Sequence, residues 1–466
     1  MDREHRLAKE SIATLLFRMS APATVALMVS ALYNIVDSIF IGRGVGYMAL
    51  GGLTIAFPVQ MAIMALSQTI GIGVASTYSR SLGAGDREGA NRAAGNSYGM
   101  VALLGLFICA GGLLFTDPIL RLFGGTDLLM PYARDYLQVI LLGSIYFPFV
   151  VSANNLIRAE GNPRMSMMVM ILGAVTNMLL DYVFIFPLAM GIRGAALATI
   201  LSQFLSLLLV LVYLNGSHTS IGVRLVHLRP DWQIQWEIIR VGSSSFARQV
   251  AGSLMAIAVN HSLAFYGGEL ALAAFGIVQR VIMFLFMPLF GTVQGMQPIV
   301  GYNYGAGRFD RVREVVKKAI LVTTIFATVS TLIGQLFPEY IVGLFDDDPR
   351  LVETGVFALR VVIAMIPVVG VQIVGAALFQ SLGKAFPALV LTLSRQVLFL
   401  IPLVLVLPRI GGLGLLGIWL AFPLSDFLST LFTSIWVKRE MSQLREQADP
   451  AASEPAESVN EREKRV

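Results

Sequence analysis

Leu82-Gly83-Ala84-Gly85 recurs 222 residues later as Tyr304-Gly305-Ala306-Gly307. The same offset sets Arg18 on Arg240, Leu50 on Leu272, Gly73 on Gly295 and Gly161 on Gly383. After a slip of one residue, Gly194, Ala198, Ser202 and Phe204 fall on Gly417, Ala421, Ser425 and Phe427. Single coincidences carry little weight in a chain with 44 glycines. A near-constant offset across a whole half indicates an internal duplication.

The material being duplicated is apolar. Of 466 residues, 56% are hydrophobic and 14% charged, and the mean hydropathy is +0.73. A soluble domain carries roughly 25% charged residues. The apolar residues gather in long runs such as Leu141–Val151, Leu205–Leu214 and Val397–Leu407. With their flanks, most of these approach the roughly 20 residues that a helix needs to cross a bilayer core of about 30 Å. Windows between polar breaks predict spans at 14–41, 52–78, 93–115, 134–157, 165–187 and 193–214. After a polar connection the spans resume at 238–266, 270–300, 315–338, 355–380, 385–407 and 413–437. Long continuous runs, not ten-residue alternation, point to helices. The expected fold is an all-α integral membrane protein of about twelve transmembrane helices in two pseudo-symmetric six-helix lobes. An even number of spans per half means that both halves enter from the same side. They are then parallel repeats, the arrangement of transporters that rock about a central cavity.

Charge placement orients the chain. Arg80, Arg87, Arg92, Arg158, Arg164, Arg224, Arg229, Arg308, Arg311, Arg313, Lys317, Lys318 and Lys384 share one side with both termini. The other side carries scattered basic residues and the acidic run Asp346–Asp348. The positive-inside rule puts the basic side and both termini in the cytoplasm. The formal charge of +5 is then a topology signal and not a nucleic-acid surface. We expect a multi-pass protein of the plasma (inner) membrane: a short cytoplasmic segment at 1–13, a first lobe at 14–214, a cytoplasmic linker at 215–237, a second lobe at 238–437, and a disordered cytoplasmic tail at 438–466. The residues from Asp2 to Glu10 carry both signs of charge and the run after them is full length, so the N-terminus does not read as a cleavable signal. Cys109 is the single cysteine, and His5, His218, His227 and His261 lack ligand spacing, so neither a disulfide framework nor a metal site is expected.

Charged side chains within the spans are functional candidates, since each costs about 2.5–3.5 kcal/mol at the bilayer centre on insertion scales. At about 1.5 Å of rise per residue, Asp37 in the first span lies in the outer half, and Asp181 in the fifth lies about 6 Å outward of Asn177. Thr199 in the sixth span reaches a similar depth. Asn177 and Asp181 share a helix face, as do Tyr33, Asn34 and Asp37. Two carboxylates in one partly dehydrated pocket cannot both ionise cheaply and would titrate as a coupled unit. Such a set suits a proton or a sodium ion. The alternative is that Asp37 and Asp181 simply hydrogen-bond neighbouring helices.

Other intramembrane polar residues are less specific. Asn154 and Asn155 read as inter-helix hydrogen-bonding groups or as part of a cavity. Gln68, Gln203, Gln294 and Gln297 line a cavity or satisfy backbone groups. Arg248, Arg280, Arg395 and Asp426 form a candidate ion-pair network, with Arg248 and Asp426 alternatively touching substrate. Met283 and Met287 offer a soft lining or plain packing. Pro22, in the middle of the first span, frees a carbonyl and favours a kink.

Taken in order, these residues resemble the multidrug and toxic compound extrusion (MATE) family over essentially the whole membrane region. The stretches that carry the resemblance are Tyr33-Asn-Ile-Val-Asp37, the two Gly-Ala-Gly loops, Asn177-Met-Leu-Leu-Asp181, Gly194-Ala-Ala-Leu-Ala-Thr199 and Arg229-Pro-Asp-Trp232. The resemblance implies two lobes around a V-shaped cavity that exports organic cations or other amphipathic compounds against a proton or sodium gradient. In one branch of the family the cation site comprises an aspartate, an Asn/Asp pair and a threonine, which match Asp37, Asn177, Asp181 and Thr199; its helix-1 proline matches Pro22. The NorM-like branch has acidic ligands where this chain has Arg248 and Gln249, so the chain looks closer to the DinF-like and MepA-like members. The expected protein is a monomeric antiporter, not an enzyme, with no cofactor beyond its coupling H+ or Na+. Two other readings are a lipid-linked oligosaccharide flippase, testable by binding of lipid-linked substrate, and an intramembrane enzyme, for which no nucleophile or metal ligand accompanies the aspartates.

Overall fold

The computed structural model describes residues 3–216 and 219–448. Among them, nine helices are long and apolar enough to cross a membrane, and two bent helix pairs bring the number to eleven. One of the nine, Trp232–Gly305, turns sharply at Gly268, whose φ of 66° and ψ of −160° suit glycine and few other residues. Counting that element as two gives twelve spans. These are α1 (Ile12–Gly44), α2 (Tyr47–Gly83), α3 (Arg87–Leu114), α4 (Met130–Gly143 and Phe147–Ala159), α5 (Pro163–Ile185) and α6 (Gly191–Leu214). The second half comprises α7 (232–267), α8 (269–305), α9 (Phe309–Leu336), α10 (Pro349–Ile363 and Ile366–Ser381), α11 (Ala385–Arg409) and α12 (Gly414–Ala448). No strand occurs among the described residues. Large apolar side chains such as Leu103, Phe107 and Leu114 on α3 lie exposed, as lipid-facing residues do.

Two spans that read as continuous apolar runs are broken. α4 bends by 51° before Phe147-Pro148, and α10 by 50° before Ile366-Pro367. In each case proline sits at the start of the second segment, where its missing N–H and its ring interrupt the ladder. The two breaks fall within about one helical turn of equivalent points of the repeat.

The lobes exchange their first helices at the basic end. Ile12, Leu15, Leu16 and Met19 of α1 pack in one apolar core with Val293, Met296, Ile299 and Val300 of α8. Ile41, at the far end of α1, belongs instead to a first-lobe core with Ile55, Leu137 and Ile185. α7 mirrors this: Ile238 packs with Ile70, Val74 and Tyr78, whereas Val259 and Leu263 join the second-lobe core. Backbones meet where the repeated glycines fall. A Cβ on Gly83 would collide with the Tyr302 carbonyl, and one on Gly305 with the Arg80 carbonyl, a pseudo-symmetric pair.

Every hydrogen bond between the lobes among the described residues lies at this end. Ser20 Oγ donates to the Thr292 carbonyl at 3.4 Å, and Ser76 Oγ to the Gln380 carbonyl at 2.7 Å. Arg80 pairs with Glu237 at 2.6 Å.

The tail expectation requires correction. Residues 438–448 continue α12, and buried Glu440 accepts from Lys384 Nζ at 2.6 Å, which ties the extension to the turn before α11. Residues 449–466, His218 and the His5 side chain lie outside the described residues.

Candidate ion-coupling site

The first-lobe site forms where α1, α5, α6 and α4 meet near their ends remote from the basic loops. α1 can lie close on α5 because Gly44 has no side chain at the point where Ile185 and Phe186 press in. Asp37 lies seven residues before the end of α1 and Asp181 four before the end of α5, or about 10 and 6 Å of helix. They therefore share a depth. Their carboxyl groups face one another within direct electrostatic range, and Tyr33 lies close to both. Asp181 is fully buried and Asn177 nearly so. Asn177 Nδ2 donates to Thr199 Oγ1 at 3.4 Å, and Thr199 in turn donates to the Ala195 carbonyl at 3.1 Å.

Four oxygens at this spot are buried and make no hydrogen bond: Asp37 Oδ1, Asn177 Oδ1 and both carboxylate oxygens of Asp181. Buried polar atoms are paired in the great majority of cases, so four orphans in one cluster demand a partner. All are hard oxygen acceptors, suited to a proton shared between carboxyls or to a small alkali cation. The donor set thus fits H+ or Na+.

Two residues not singled out from the sequence complete the wall. Tyr136 of α4 lies within electrostatic range of Asp37, Tyr33 and Asp181, and its hydroxyl accepts from Gln60 Nε2 of α2 at 3.1 Å. Tyr136 is six residues into α4, about 9 Å by helical rise, which is the depth of the acid pair. Depth alone was the signal available. Asn34, expected beside Asp37, is exposed and donates to the Ser30 carbonyl at 2.7 Å.

The expected substrate cavity is only partly assembled. Asn154 is taken out of it, because both ends of its amide bond Ser166 of α5, at 3.0 and 2.7 Å. Gln68 and Gln294 belong to a different structure: Gln68 Oε1 accepts from Asn155, Arg158 donates to Asn155 Oδ1 at 2.5 Å, and Arg158 also donates to Gln294 Oε1 at 2.5 Å. This chain of amides and a buried arginine links the lobes. Gln203 is half-buried one turn below Thr199, against Gly143. On α8, Met283 is exposed and Met287 buried, and both share a face with Gly291 and Gln294, which contact the first lobe. Pro22 lies within the continuous helix α1, between the part packed in the second lobe and the part carrying Asp37. The expected four-residue ion-pair network reduces to one pair. Arg395 Nε donates to Asp426 Oδ1 at 2.6 Å, and Asp426 is thereby engaged and buried. Arg248 and Arg280 pair with no carboxylate among the described residues.

A family model described as MatE matches this chain twice, over residues 22–183 and 245–406. The chain belongs to the MATE family. The two matches begin 223 residues apart, which is the internal repeat. The multidrug export protein MepA of Staphylococcus haemolyticus is 27% identical over 406 residues, covering 87% of this chain and 89% of that protein. MATE solved in a bent conformation superposes with a TM-score of 0.91 at 26% identity, over 96% of this chain and 99% of the other. MATE in a straight conformation gives a TM-score of 0.90 at 27% identity, over 95% and 98%. The two-lobed arrangement of twelve helices is thus the MATE fold.

Proposed function

We propose that the protein is a multidrug efflux transporter, a secondary active antiporter that exports small amphipathic or cationic compounds in exchange for H+ or Na+. The observation that carries this reading is the cluster of four partnerless buried oxygens on Asp37, Asn177 and Asp181. A transmembrane protein that keeps two facing carboxyls there needs a cation to neutralise them. The name of the staphylococcal relative, multidrug export protein MepA, supports the substrate class. The asymmetry of charge between the two sides supports a multi-pass plasma-membrane protein with both termini in the cytoplasm. A monomer suffices, since both lobes are in one chain.

In this account Asp37, Asn177, Asp181 and Thr199 hold the driving cation. Cation arrival removes the repulsion between Asp37 and Asp181 and lets α1 settle against α5. Because the other end of α1 is built into the second-lobe core, with Ser20 against Gly295 and the Thr292 carbonyl, a shift of α1 is felt at the contact between lobes. Pro22 lies between the two parts and removes one hydrogen bond from the helix there. That MATE has been solved both bent and straight supports a movable element of this kind. Alternating access then needs only the basic-end contacts to part.

The test is efflux of a cationic amphipathic dye from proteoliposomes under pH and sodium gradients imposed separately. Dye movement should follow at least one gradient. Movement indifferent to both would overturn the antiport reading.

A further inference from the structure

The second lobe contains a polar cluster that the ion-coupling account does not use. Arg248 lies sixteen residues into α7, about 24 Å along the helix, and so at membrane depth. It is spaced seven, three and three residues from Val241, Ser245 and Ala251, and eleven from Val259, all buried. Those spacings put it on the inward face of α7. Arg248 itself is exposed within this span. Its guanidinium donates to Ser245 Oγ at 3.3 Å and lies 5.9 Å from the centre of the Phe290 ring, with no carboxylate within ion-pair distance among the described residues.

The surroundings hold a second guanidinium and two aromatic faces. Phe290 is 5.9 Å from Phe286, over which Arg395 lies at 5.1 Å. α11 passes through a π-helical turn at Ser394–Leu400 that carries Arg395 and Gln396; such turns are frequent at functional sites. Gly252, one turn beyond Arg248, abuts Gln396 Nε2, an amide donor. Asp426 balances Arg395 and leaves the charge of Arg248 uncompensated. An uncompensated arginine at membrane depth is costly, and an anion from the ligand would offset that cost.

We infer that Arg248, with Phe290 beside it, is a recognition site for the carboxylate of an aromatic amphipathic substrate. This rests on the exporter reading and deepens it by adding, in the second lobe, a group that takes an anionic part of the substrate. Partly exposed Phe290 borders the aromatic body and the guanidinium receives the carboxylate.

Binding of tetramethylrhodamine, which carries a free carboxylate, and of its methyl ester to the purified full chain tests the site by fluorescence polarisation. Wild type should prefer the carboxylate dye. Arg248→Gln should weaken that dye roughly tenfold or more, the loss expected for a hydrogen-bonded charge, while leaving the ester within about twofold. A wild type that does not prefer the carboxylate dye, or that fails to bind it, overturns the inference without any variant. So does a variant that weakens both dyes equally or neither. Gradient-driven efflux of the ester by wild type is the separate readout of the exporter reading; its loss would overturn that reading, whereas its persistence alongside absent carboxylate preference would overturn only this inference.

Discussion

Asp181 is buried at the centre of the first-lobe site with neither carboxylate oxygen bonded, and Tyr136 and Gln60 close the wall on the α4 and α2 side. Replacing Tyr136 with Phe removes the hydroxyl that meets Gln60 and leaves the ring. The expected result is a stability loss of about 0.5–1.5 kcal/mol for the lost hydrogen bond, read as thermal melting in detergent. The half-saturating concentration of the driving cation should also rise, because a polar group beside the acid pair is gone. The acid pair itself was legible in the sequence, because a carboxylate inside an apolar run stands out and helical rise gives its depth. Tyr136 was not, since a tyrosine in a transmembrane segment draws no attention without its neighbours. Asn154 was misplaced for the converse reason: the register that brings Ser166 opposite it is a property of two packed helices and not of either run alone.

At the level of elements, apolar length revealed the spans but not their breaks. Pro148 and Pro367 were visible, yet the hydrophobic runs continue through both, and a run long enough to cross reads as straight. α12 outlasts its apolar run because Glu440 has a buried partner in Lys384, a contact between residues 56 apart. Lys384→Ala should therefore destabilise the protein by about 1–3 kcal/mol, less than for a fully buried pair because Lys384 is 36% exposed. Melting temperature measures this, and Glu440→Gln in the same background should recover part of the loss. The α4–α8 link makes a second element-scale prediction. Gln294→Leu strips Arg158 of one of its amide acceptors and should cost about 1.5–3 kcal/mol, the value of a hydrogen bond to a charged group. Because that bond joins the lobes, a cysteine placed at the basic-end interface should also become faster to label.

For the molecule as a whole, the repeat seen in the sequence is the symmetry of the scaffold. Gly83 against Tyr302 and Gly305 against Arg80 are the same contact made twice. Adding a methyl group at Gly83 forces backbones apart and should favour arrangements in which the basic ends separate. Gly83→Ala is expected to cost about 1–3 kcal/mol in the melting of the closed arrangement and to raise labelling from the basic side. What the repeat did not reveal is the exchange of first helices, because an alignment reports which segments are alike and not which core each end enters. The chemistry departs from the symmetry. The first lobe carries two facing carboxyls, whereas the second carries Arg395 paired with Asp426 and Arg248 with no carboxylate partner among the described residues.

Central to the account is the claim that the first-lobe carboxyls couple an ion gradient to export. Asp181→Asn keeps the size of the side chain and removes its charge. In proteoliposomes containing equal amounts of correctly inserted wild-type and Asp181→Asn protein, gradient-driven efflux of a cationic amphipathic dye should be abolished by the substitution. Efflux at the wild-type rate from the substituted protein would contradict the account.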